Sequence, residues 1–97
     1  MAKRFAIGLQ AATPAQEAAF RSHLETIGAG WWHWIPNFWL VISWNDGTSA
    51  ENFRDALKEC APGCNSMVIE IEGTATWYGF GPIEGTFFGW MHETWKH

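Results

Sequence analysis

The stretch GWWHWIPNFWLVIS, Gly30 to Ser43, holds four of the eight tryptophans of this 97-residue chain around one Pro-Asn pair. Its reading decides the fold. Pro36-Asn37 is a turn signal between two runs of β-branched and aromatic residues, so Trp31 to Ile35 and Phe38 to Trp44 are expected to form a hairpin. A two-residue turn sets Ile35 opposite Phe38, His33 opposite Leu40 and Trp31 opposite Ile42. One face then carries Trp31, His33, Ile35, Phe38, Leu40 and Ile42; the other carries Trp32, Trp34, Trp39, Val41 and Ser43. Both faces are apolar, so both need a cover.

Upstream, RFAIGLQ alternates Phe5, Ile7 and Leu9 with small or polar residues, which predicts a strand from Arg4 to Gln10 with one buried side. Thr13 before Pro14, with Gln16 three residues after the cap, marks a helix start. Phe20, Leu24 and Ile27 continue it at helical spacing, and Gly28 ends it. Downstream, NDGTSAENF gives a turn and a second start signal. Phe53, Ala56, Leu57 and Cys60 line one side of a helix from about Ala50 to Cys60, stopped by Pro62-Gly63. SMVIEIEG alternates again, with Met67, Ile69 and Ile71 opposed to Val68, Glu70 and Glu72.

The order strand, helix, strand, strand, helix, strand predicts an α+β, ferredoxin-like split βαβ domain over residues 1–73. It has a four-stranded antiparallel sheet and both helices on one face. Residues 74–97 form a C-terminal extension. There, Ile83, Phe87, Trp90, Met91 and Trp95 are spaced like the apolar side of a helix, which Gly85 and Gly89 weaken by roughly 1 kcal/mol each. Such a segment needs a surface to lie on.

Composition narrows the function. A net charge of −4 with six scattered cations (Lys3, Arg4, Arg21, Arg54, Lys58, Lys96) disfavours a coat on a phosphate backbone. The aromatic sheet invites comparison with sheets that stack bases, but those are rimmed with basic residues, whereas Glu70 and Glu72 stand here. No apolar run resembles a leader or a membrane span, so a cytoplasmic address and no membrane partner are expected. Cys60 and Cys64, spaced C-x-x-x-C, read as two reduced thiols, with a local disulfide as the alternative.

The Gly30–Ser43 stretch within IGAGWWHWIPNFWLVIS, the following SAENFRDAL and the closing GF…FFGWMHETW resemble a group of small bacterial and phage proteins termed SinR-like. These are similar in turn to the CRISPR-associated small ferredoxin-like nucleases and to virulence-associated protein D. The likeness runs from Phe5 to about Trp95 and is most specific at Trp31-Trp32-His33 and Trp39. It implies a symmetric dimer over the open sheet face. It also implies a metal-binding aspartate at the end of the first strand, where this chain has Gln10, a poor ligand for Mg²⁺. The likeness further favours Trp32, Trp34 and Trp39 toward the helices, with Phe20, Leu24 and Phe53. Trp31, His33, Phe38, Leu40 and Ile42 then join Trp77, Phe87 and Trp90 at an interface.

Chemistry-bearing residues are few. Glu70 and Glu72 lie one strand repeat apart and are weak metal candidates that lack a third ligand. His33 reads as a structural histidine, or as a general acid or base in the alternative. His23, His92 and His97 have no zinc spacing. Nucleophile elbows and phosphate-cradling loops are absent. The expected function is that of a non-enzymatic protein acting through homodimerisation or protein binding, without a cofactor, in a phage- or defence-related setting. The alternative is a divergent Mg²⁺-dependent nuclease of the same superfamily.

Overall fold

The computed structural model describes residues 2–80 and 88–96. Its order is β1 (Lys3–Leu9), α1 (Pro14–Thr26), β2 (Gly30–Ile35), β3 (Phe38–Ser43), α2 (Ala50–Cys60) and β4 (Ser66–Ile71), followed by a π-helical turn at Met91–Trp95. The first strand begins and ends one residue earlier than its alternation suggests, β2 begins and β3 ends one residue earlier than expected, and both helices begin where their caps place them.

Both helices begin on reciprocal caps. The Thr13 hydroxyl accepts from the Gln16 amide at 3.2 Å while Gln16 Oε1 accepts from the Thr13 amide at 2.8 Å. Ser49 and Asn52 repeat the exchange at the start of α2. Each box satisfies two amides that the first helical turn leaves open. After α1, Gly28 takes φ +73°, a conformation a side chain would strain, and the chain turns into β2.

The strands form one antiparallel sheet in the order β2-β3-β1-β4. Phe5, Ile7 and Leu9 of β1 and Trp39 and Val41 of β3 pack with Phe20 and Leu24 of α1 and Phe53, Ala56 and Leu57 of α2. One sheet face is thereby closed by both helices. Rings lock it: Phe5 meets Phe53 edge-on at 4.8 Å, and Phe20 meets Trp39 edge-on at 5.1 Å.

The hairpin departs from the expected register at one place, and the departure reverses half of it. Ile35 does face Phe38, but Trp32, not His33, faces Leu40, and Trp31 faces Val41. Between these pairs β2 spends His33 and Trp34 against Trp39 alone, which is a β-bulge. Because side chains alternate with period two, one extra residue moves everything before it to the other face. Trp31 and His33 therefore lie on the helix side, contrary to expectation, and Trp32 lies on the open side. Trp34, expected under the helices, is carried by the bulge and is 57% exposed. β3 keeps its expected parity, with Trp39 and Val41 under the helices and Phe38, Leu40 and Ile42 opposite.

The open face is covered from within the same chain. Trp32, Met91 and Trp95 are buried together, with Phe38, Leu40, Ile71, Trp77, Phe88 and Trp90 half-buried around them. The C-terminal segment thus finds its surface on its own sheet, and Met91 and Trp95 need no second copy to be buried. The expected amphipathic helix is, in the described part, a single wide turn; its positions Ile83 and Phe87 lie outside the described residues.

Candidate binding surface

The residues assigned to an interface separate into three groups. Trp31 and His33 are on the helix side. Ile42 is fully buried on the open side, where its side chain and the Trp90 ring both come close to Gly30. Phe38, Leu40, Trp77 and Trp90 are half-buried within the aromatic layer that this segment makes, and Phe87 is outside the described residues. Trp31, His33 and Ile42 are not available as a free surface in the way the two-residue register implies, because the bulge turns the first two to the helix side and the third is fully buried.

His33 has a structural environment. Its Nδ1 is 2.8 Å from the Phe38 carbonyl, its Nε2 is 3.0 Å from Glu17 Oε2 on α1, and its ring lies parallel to the Trp39 indole at 3.8 Å. Both partners are acceptors, so the ring acts as a donor at a nitrogen that carries a proton. The bulge is what lets it reach them: an unbulged β2 would point this imidazole away from α1. The Trp39 indole N–H, beneath it, is buried without a hydrogen-bond partner among the described residues. Such a group opposes folding by about 1–3 kcal/mol, which the ring contacts on both sides of Trp39 must exceed.

At the end of β1, Gln10 accepts from Asn65 Nδ2 at 2.8 Å through Oε1, and its amide donates to the Asn65 carbonyl at 2.9 Å. Asn37, at φ +68° in the hairpin turn, accepts from the Ala11 amide through Oδ1 at 2.8 Å. Three amide side chains therefore tie the hairpin turn, the end of β1 and the start of β4 together. Where the resemblance in sequence leads one to expect a metal-binding carboxylate, this chain has an amide engaged in holding strand ends. Glu70 is exposed in β4, in register with Phe5 on the helix side, and Glu72 lies beyond the strand. Among the described residues no group of three His, Cys, Asp or Glu side chains converges on a point.

Cys60 and Cys64 are free thiols, each half-buried. Burial first, and the neighbouring Glu59 carboxylate second, push the Cys60 thiol above its ordinary range. Cys64 lies with Sγ 3.6 Å from Gln16 Oε1.

Among the described residues the tail is held to the sheet by rings and by a side-chain hydrogen bond from Arg4, and a second, from Trp95, closes the tail on itself. Phe88 stacks on Trp32 at 5.9 Å and lies against Trp77 at 5.7 Å. It fits because residue 79 is glycine: a Cβ there would fall 2.4 Å from the Phe88 ring. Arg4, buried on the open face, donates from Nε to the Trp95 carbonyl at 2.6 Å, with its guanidinium 5.8 Å from the Trp95 ring. Trp95 Nε1 donates to the Thr74 carbonyl at 2.9 Å. Nothing in the sequence pattern singled out Arg4, since a lone cation beside a strand reads as solvated.

The cover is incomplete. A cleft of about 510 Å³ remains between the sheet and the tail, floored by Ala6, Phe38 and Leu40 and rimmed by Ile35, Tyr78 and Phe80. Tyr78 and Phe80 are 95% and 87% exposed, and on β4 the open-face side chains Met67 and Ile69 are 66% and 54% exposed. The alternation of SMVIEI made the Met67-Ile69 face legible; that these two side chains stay exposed beside the described part of the tail was not. No helix among the described residues is long and apolar enough to cross a membrane. Compared with known proteins, the chain matches no family model, no curated protein and no solved structure.

Proposed function

We propose that this is a non-enzymatic protein of ferredoxin-like fold that works by homodimerisation, through the part of the sheet where Met67 and Ile69 stay exposed. The observation that carries this reading is the concentration of large exposed apolar side chains on that side: Met67 and Ile69 on β4, Tyr78 and Phe80 beside the cleft. Large exposed apolar side chains gathered on one side of a small domain mark contact sites. The strand order, with both helices on one face, supports the fold, and the resemblance to SinR-like proteins supports a dimer and a phage- or defence-related setting. A cytoplasmic address goes with that reading.

Light scattering on the purified chain tests it, with two chains per particle expected. A monomer at every concentration would remove the proposal. The rival reading, a divergent Mg²⁺-dependent nuclease, has its own discriminating assay. RNA and DNA are incubated with the protein and Mg²⁺ or Mn²⁺, with Glu70→Ala/Glu72→Ala in parallel. Intact substrate is expected throughout. Metal-dependent cleavage that the double variant abolishes would replace a binding protein with an enzyme.

A further inference from the structure

The free edge of β4 has a definite hydrogen-bonding pattern, which follows from two backbone bonds. The Leu9 amide donates to the Asn37 carbonyl on the β3 side, and the Gln10 amide donates to the Asn65 carbonyl on the β4 side. Strand residues alternate in the direction their amide and carbonyl point. The even residues of β1 therefore bond β4, through the pairs Arg4 with Ile71, Ala6 with Ile69 and Gly8 with Met67. It follows that Ser66, Val68 and Glu70 turn their own amides and carbonyls outward, along an edge that pairs with no other described strand.

We infer that this edge pairs antiparallel with β4 of a second copy, about a two-fold axis at Val68. This specifies the contact for the dimer proposed above and rests on that reading. Three features of the strand select the register. With the axis at Val68, Val68 faces Val68 of the second copy, Ser66 faces its Glu70, and Met67 faces its Ile69. The three residues with outward backbone groups are then the hydrogen-bonded pairs, with two bonds at each pair. The exposed Met67 and Ile69 cover one another on the open side. The two Glu70 carboxylates stand roughly 13 Å apart along the strands at about 3.3 Å per residue, each beside a hydroxyl.

Neighbouring registers lose these matches. An axis at Glu70 sets like charges directly opposite, which destabilises a cross-strand pair, and an axis at Ile69 sets Glu70 against Val68. A two-fold perpendicular to the sheet keeps all four helices on one side and joins the two open faces into one. The strip is shorter than an ordinary interface of about 800 Å² per subunit, so the association depends on concentration and yields to dilution.

Sedimentation of the full chain over a concentration series measures the dimer Kd, with circular dichroism as the check on folding. Ser66 and Glu70 are exposed, so charge changes there leave the core alone. Ser66→Glu puts a carboxylate opposite Glu70 twice per dimer and is expected to raise Kd about tenfold. Ser66→Lys is expected to lower it several-fold, and Ser66→Glu/Glu70→Lys, which sets the same opposite charges across the pair in exchanged order, to lower it likewise. A dimer whose Kd ignores all three variants overturns the edge register and leaves the dimer standing. A chain that remains monomeric up to about 1 mM overturns both.

Discussion

The two faces of one sheet are closed in different ways. On the helix side, Phe5, Ile7, Trp39, Val41, Phe20 and Phe53 have no exposed surface at all, and the covering elements satisfy their own backbones and carry reciprocal caps. On the other side the described cover is a run of rings with one wide turn, fastened to the sheet by Arg4 through the Trp95 carbonyl and braced within itself by the Trp95 indole on the Thr74 carbonyl. The first cover is made of secondary structure that packs; the second exists only because it packs. A segment whose backbone has few partners of its own opens at lower free energy than the body it lies on. The sheet therefore has a permanent side and a side that is closed conditionally.

The largest expected effect comes from breaking each cover by a comparable truncation. Phe53→Ala removes a fully buried ring that meets Phe5 and Phe20, and should lower global stability by about 3–5 kcal/mol. Trp95→Ala removes a ring of greater size, yet it should loosen mainly the C-terminal segment. Urea unfolding combined with amide exchange separates the two. Phe53→Ala is expected to weaken protection across β1 and β3, whereas Trp95→Ala should leave those amides protected and free the segment around Met91. Equal losses of protection in both variants would mean that the two covers form one cooperative unit.

The same contrast explains what could be read in advance. The helix side follows from period and caps: Phe5-Ile7-Leu9, Thr13 with Gln16, and Phe53-Ala56-Leu57 each announce an element and its buried side. The bulge at His33-Trp34 has no such announcement. Both faces of GWWHWI are apolar, so sliding one residue exchanges tryptophan for tryptophan and leaves the pattern intact. What selects the bulged register is tertiary: a flat stack of His33 on Trp39 and a carboxylate from α1, sixteen residues earlier in the chain. For the same reason Trp31 and His33 could not be recognised as helix-side residues from the hairpin alone. On the tail side, ring content announced a need for cover, but the fastening by Arg4 depends on a carbonyl ninety-one positions away.

Arg4 supplies the next prediction. Arg4→Leu retains an apolar stem on the open face and deletes the donor, leaving the Trp95 carbonyl without that partner. The expected loss is about 1–3 kcal/mol, concentrated in the attachment of the tail. Limited proteolysis reads it directly: cleavage within residues 74–96 should accelerate, while the helix-side core survives digestion. If the tail is cut no faster in Arg4→Leu than in the parent, the rings alone hold it, and the guanidinium is a passenger.

The smallest expected effect probes whether the two covers communicate. Cys60 closes α2 at the rim of the helix-side core, and burial together with Glu59 raises its thiol pKa. A raised value means less thiolate at a given pH, so alkylation of Cys60 by iodoacetamide near neutral pH should be slower than that of an unhindered thiol. The rate should climb about tenfold per pH unit until the raised range is reached, because only the thiolate reacts. Cys64→Ser isolates the signal. In that background, adding Arg4→Leu should leave the Cys60 rate and its pH profile unchanged, since the tail is fastened on the opposite face of the sheet. Faster alkylation at every pH would show that releasing the tail also loosens α2, and the division between a permanent and a conditional face would have to be given up.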